Sequence, residues 1–206
     1  VNQAVGVALT GFAHGAAGIM LALARLGYDT QEEKYLEAAY QAYQYEEHYY
    51  REELQDWEDL RNEVQTDQET QGMAWCHGWG GIVMARIATM KYVRGNFRTE
   101  LEKTSAFAMG KVSNTNYGNK AFSETSFCLC HGKCGNLVLF DYFGKKEEAV
   151  LMQTQILEVI CRETLDIQGM LKLQECDNYG LLGGIAGIGY SCLSNPRKAL
   201  ELLCIK

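Results

Sequence analysis

Apolar residues in this chain fall into two kinds of run, and the two kinds alternate. "IMLALARLGY", from Ile19 to Tyr28, is apolar nearly all round, so it predicts a short buried helix ending near Gly27. The next stretch, "TQEEKYLEAAYQAYQYEEHYYREELQDW", is periodic instead. Tyr35, Leu36, Ala39, Tyr43 and Glu46/Glu47 give it the pattern of an amphipathic helix with a wet face. Thr30 is a candidate N-cap, with Glu33 three residues on to complete a capping box. The alternation recurs. "IVMARIATMKYV" precedes "RTELEKTSAFAMGK", and "LVLFDYF" precedes "KKEEAVLMQTQILEVICRETL". A fourth round has only "IGYSCLSN" and a terminal "PRKALELLCI".

Each apolar run is introduced by one glycine pattern, x-Gly-x-x-Gly: "HGAAG", "HGWGG", "HGKCG" and "GGIAG". Their first glycines, Gly15, Gly78, Gly132 and Gly184, lie 63, 54 and 52 residues apart. A repeat of that length points to an array of supersecondary units. Each unit reads as a glycine loop, an apolar inner helix, a turn and a more polar outer helix. The expected class is therefore all-α, an α/α toroid or solenoid of about four units. If the units circle one axis, all the glycine loops lie at one end, and the residues beside them converge there. Glycine suits a loop that enters a buried helix, because it permits positive φ or close backbone packing.

Composition narrows the function. With 206 residues, 47% of them hydrophobic and 22% charged, the chain is long enough for a full core. A net charge of −7 without a basic stripe makes nucleic acid and anionic membranes poor partners. No apolar run approaches the roughly 18 residues of a membrane span. The chain opens on Val1 with no signal segment, which reads as a cut from a longer, cytoplasmic protein. Eight cysteines in so long a chain, two of them directly before histidines, suggest reduced thiols and metal use, not a disulfide scaffold.

The candidate chemistry sits in the glycine loops. Cys76 precedes His77 in the second motif, and Cys130 precedes His131 in the third. Cys76, Cys130 and His131 are the proposed ligands of a zinc ion. Thiolate and imidazole suit zinc, and a catalytic site commonly keeps three protein ligands and an open fourth position. The chemistry alone leaves open whether His77 or His131 binds. His14 holds the same repeat position, but Ala13 stands where the others have Cys. It is a candidate acid or base, with a hydrogen-bonded structural histidine as the alternative. Cys128, Cys134, Cys161, Cys176, Cys192 and Cys204 read as core or spare thiols, and His48 as solvated. "GGIAG" offers no polar side chain and reads as a packing turn.

"GFAHGAAGI", "AWCHGWGGI", "LCHGKCGNL" and "GLLGGIAGIGY", spanning Gly11 to Tyr190, resemble the lanthionine synthetase C-like cyclases. The version resembled is the one at the C-terminus of class II lanthipeptide synthetases. The resemblance implies an α/α barrel of seven inner and seven outer helices, of which residues 1–206 would be the C-terminal part. It implies one zinc held by Cys76, Cys130 and His131, with His14 as the catalytic acid/base candidate. His77 would line the site without binding the metal. The implied reaction adds cysteine thiols of a dehydrated precursor peptide (leader plus core) to dehydroalanine or dehydrobutyrine, giving (methyl)lanthionine rings. The implied partner is an N-terminal dehydratase domain of the same parent chain. The family's acidic partner to His14 would lie upstream of Val1, and "WGG" after Cys76-His77-Gly78 stands where the family often has Ala-Pro. The alternative function is a zinc-bearing module of the same fold that binds peptide or glutathione without closing rings.

Overall fold

A computed structural model describes residues 7–53, 55–61, 72–113, 126–163, 179–193 and 198. These residues are mostly helical, as the apolar pattern predicts. The helices are α1 (Ala16–Thr30), α2 (Glu33–His48), α3 (Trp79–Thr89), α4 (Gly95–Ser113), α5 (Lys133–Tyr142), α6 (Lys146–Glu163) and α7 (Ile185–Leu193). One small antiparallel hairpin, β1 (Tyr50–Arg51) and β2 (Asp56–Trp57), pairs Tyr50 with Trp57. Among the described residues, no helix is long and apolar enough to cross a membrane. Cys176, Cys204 and the terminal "PRKALELLCI" segment other than Lys198 lie outside the described residues.

The chain divides into two compact units, Val1–Lys111 and Val112–Lys206. In the first, α1 packs against both α2 and α3. In the second, α5 packs against α6 and α7. The inner and outer character of the helices follows the sequence pattern in both. α3 is buried along nearly its whole length, and so is α5 from Cys134 to Phe140. α6, by contrast, leaves Val150 and Leu151 exposed.

Three expectations need correction. α1 does not end near Gly27; it continues to Thr30, and Gln31 at φ 60° stops it. Gly27 is where α2 crosses, since a Cβ there would lie 2.8 Å from Leu36 Cγ. Nor is α1 buried all round: Ile19 is 55% exposed, and Leu26 and Tyr28 are exposed beside it. Thr30 does not cap α2. Its hydroxyl donates to the Leu26 carbonyl at 2.7 Å, so the local back-bond satisfies it inside α1. Glu32 takes the cap position of α2 without a side-chain bond.

A further correction concerns the wet face of α2. Glu46 is fully buried. Its position, seven residues after Ala39 and three after Tyr43, continues the inner stripe of the helix. A partner makes this tolerable. Arg86 of α3, itself fully buried, donates to Glu46 Oε2 from Nε at 3.0 Å and from Nη2 at 2.7 Å. Its Nη1 reaches Glu47 Oε1 at 2.7 Å. The guanidinium also lies 4.8 Å from the ring centres of Tyr43 and Trp57. Burial works against the charge on Arg86, but Glu46 and Glu47 more than offset it and hold the guanidinium protonated.

Candidate metal-binding turns

The glycine motifs build one backbone device, repeated. In three of them the first amide of the inner helix donates to the carbonyl seven residues earlier. These bonds are Ala16 to Leu9 at 2.9 Å, Trp79 to Gly72 at 3.0 Å and Lys133 to Ser126 at 3.1 Å. The bond satisfies an amide that a helix start would otherwise leave unpaired. The second glycine of each motif closes the turn from inside. A Cβ on Gly18, Gly81, Gly135 or Gly187 would overlap the carbonyl oxygen of Phe12, Trp75, Leu129 or Leu181, each six residues earlier. Close packing is thus the reason for these glycines. The first glycines that precede α1, α3 and α5 have extended backbones, with φ of −153°, −95° and −104°.

In the first unit this device brings two turns edge to edge. The Ala13 amide donates to the Cys76 carbonyl at 2.9 Å. Gly11, at φ +97°, lies so close to His77 that a Cβ there would be 2.6 Å from the His77 Cα. His14 is exposed, one residue beyond that bond to Cys76. The Cys76 thiol is buried, and its Sγ is 2.9 Å from His77 Nδ1. Phe12 and Trp75 pack ring to ring at 5.3 Å beneath the turns. Asp59 adds a negative charge nearby. Burial works to raise its pKa, but hydrogen bonds from the Arg61 side chain and backbone, with help from His77, hold the carboxyl below its usual range.

In the second unit Cys130 is half-buried and His131 is exposed. The His131 backbone amide donates to Cys128 Sγ at 3.4 Å, and the Cys128 amide donates to Ser126 Oγ at 3.3 Å. The His131 ring is hydrogen-bonded to the sulfurs of Cys128 and Cys130, which push its pKa up to about 10. Burial would raise Cys128, but the bonds from His131 and Ser126 prevail and bring it down to about 7. A second thiol pair lies deeper. Cys134, fully buried, is hydrogen-bonded to Cys192, and that bond and burial raise the Cys134 pKa. The Cys130 amide donates to the Leu182 carbonyl at 2.9 Å, joining the third and fourth turns.

His14 therefore stands beside Cys76, and His131 beside Cys130, each within its own unit. Cys128, expected to be a core or spare thiol, contacts His131 through both the backbone amide and the ring. The signal for it was present: in "CLCH", residues three apart meet across one turn. The Glu46–Arg86 pair was not legible, because a Glu and an Arg forty residues apart carry no local mark of mutual burial.

Residues 2–200 match the sequence model of the family described as lanthionine synthetase C-like protein. The chain belongs to that family. Among curated proteins, the chain is similar to the lacticin 481/lactococcin biosynthesis protein LcnDR2 of Lactococcus lactis subsp. lactis. Identity is 29% over 200 residues, which covers 92% of this chain and 21% of the relative. The chain thus spans about a fifth of the length of that relative.

Proposed function

We propose that this chain carries the ring-closing chemistry of a lanthipeptide synthetase. Precursor-peptide cysteines add to dehydroalanine or dehydrobutyrine, and (methyl)lanthionine thioethers result. Family membership supports it, as does the similarity to a lacticin 481 biosynthesis protein. The observation that carries it is the donor set on the second and third turns. Cys76, Cys130 and His131 offer two thiolates and an imidazole, a group of the kind that could hold a metal ion. The set fits zinc: three soft-to-borderline donors leave a fourth position free, and two thiolates offset the ion's charge. Bound there, zinc would lower the pKa of an incoming thiol and so supply a nucleophilic sulfur.

The rest falls to the chain's own residues. The addition is balanced without a redox partner: sulfur bonds to the β-carbon, and the α-carbon takes the proton that the thiol gives up. His14 is the residue to manage that proton, being exposed and tied through Ala13 to the Cys76 carbonyl. His77 pairs with the Cys76 sulfur and would set its orientation. Gly11 and Ala13 brace the Cys76 turn against the loop that carries His14.

By the same reading the parent chain is cytoplasmic, residues 1–206 form the C-terminal part of its cyclase domain, and a dehydratase domain precedes them. The test combines metal analysis with thiol alkylation and mass spectrometry on a dehydrated precursor peptide. The expected result is one zinc per chain and loss of alkylatable thiols only when the protein is present. Zinc-loaded protein that binds the peptide yet leaves its thiols free would replace this reading with the binding module.

A further inference from the structure

The proposed chemistry makes no use of the buried Glu46–Arg86 pair, yet the pair reaches the loop that carries His14. Arg86 places both of its bonds to Glu46 on Oε2. The other carboxylate oxygen, Oε1, is buried and has no hydrogen bond of its own. Glu46 is fully buried, so bulk water does not serve that oxygen. A donor stands on the loop before α1. Burial works against the charge on Glu46, whereas Arg86 favours it, and the backbone amide of Gly11 favours it as well, acting as a hydrogen-bond donor. The same helix holds the loop at a second point: the Tyr45 hydroxyl donates to the Ala8 carbonyl at 2.5 Å.

From Gly11 the path to the candidate site is short. Gly11 is buried, at φ +97°, and packs directly on the His77 backbone. Two residues on, Ala13 donates to the Cys76 carbonyl, and His14 follows. Arg86 joins this path from the other side, because its helix α3 begins at Trp79, directly after Cys76-His77-Gly78. A glycine has little conformational preference of its own, so its place must be set by what it touches. A buried ionised acceptor is a strong means of setting it.

We infer that Glu46 is a positioning residue, whose Oε1 accepts from the Gly11 amide and holds the His14 loop in register with the Cys76 turn. The inference rests on the cyclase reading for the reaction that this register serves. Arg86 sets the direction of the carboxylate and leaves Oε1 for Gly11.

The test compares two neutral replacements in the intact, zinc-loaded protein. The first, Arg86→Met with Glu46→Leu, removes the acceptor and keeps the packing. The second, Arg86→Met with Glu46→Gln, keeps an acceptor for Gly11 but leaves a buried amide partly unpaired, so it should melt lower than the first. Hydrogen exchange at the Gly11 amide, read by mass spectrometry with electron-transfer fragmentation, should speed up by about tenfold in the first variant and stay near wild type in the second. Single-turnover ring closure of a saturating peptide with one cysteine and one dehydroalanine should slow by about 100-fold in the first variant, with peptide affinity and zinc content unchanged. The second variant should be the faster of the two although it is the less stable. A merely structural role gives the opposite order, because rate then follows stability. Wild-type exchange at Gly11 in the first variant, or a first variant at least as fast as the second, overturns the inference. If the wild type closes no ring but the exchange pattern appears, the Glu46 anchor stands and the cyclase reading fails.

Discussion

At Cys76-His77-Gly78 the thiol is buried and paired with the Nδ1 of the residue that follows it. At Cys130-His131-Gly132 the imidazole is exposed and lies against two sulfurs, Cys128 and Cys130. The two tripeptides are identical, and their turns close with the same seven-residue bond and the same glycine on a carbonyl six residues back. What differs is the surroundings. The Cys76 turn rests against the Gly11–Gly15 loop, and α3 behind it carries Arg86, paired with Glu46. The Cys130 turn has a cysteine two residues upstream of its own Cys-His. A shared backbone thus fixes where the side chains start, and the neighbours decide what the histidine does. On the proposed function, His77 would orient Cys76 and His131 would bind the metal.

The sharpest way to break that assignment is to exchange the roles. His131→Ala should lower zinc affinity by more than the ~10–100-fold typical of residues that only orient a ligand. His77→Ala should stay within or below that range. Competition with a chromophoric chelator measures both. Equal losses would make the two histidines equivalent and end the distinction.

Next in size is the support beneath the Cys76 turn. Arg86→Ala strands Glu46 as a buried carboxylate, which costs about 3–5 kcal/mol. The double variant Arg86→Met with Glu46→Leu should recover most of that loss in urea denaturation. A single variant with wild-type stability would show that the pair is not what holds α2 against α3.

The claim of one backbone is tested by Gly81→Ala and Gly135→Ala. Each forces a methyl onto a carbonyl, and each should lower stability by about 1–3 kcal/mol, read by thermal melting. A loss at only one of them would mean that the two turns are not built alike.

The smallest effect concerns Asp59. Its folded pKa is depressed, so its contribution is full above the ordinary carboxyl value near 3.9 and fades as pH falls through the folded value. Arg61→Ala should therefore cost less than about 1 kcal/mol near neutral pH, because the pair is partly exposed. The difference from wild type should shrink toward zero in acid. Denaturation curves across pH check it, and a difference that grows in acid would give the interaction the opposite sign.

Several features of the molecule were present in the order of residues alone. Apolar runs placed α1, α3, α5 and α7, because a buried helix must be apolar wherever it meets the core. The glycine repeat marked every inner-helix start, because only glycine fits against a carbonyl six residues back. The Cys-His pairs marked the candidate donors by chemistry, and "CLCH" held Cys128 within one turn of His131. Other features depended on which elements became neighbours. Whether Glu46 faced water or core turned on Arg86 arriving from α3. Whether Thr30 capped α2 or closed α1 turned on a single positive φ at Gln31. The fourth turn looked inert until its carbonyl met the Cys130 amide. Periodicity records how a segment prefers to fold and which face is apolar. It does not record the partner, and it is the partner that sets burial, charge and reach.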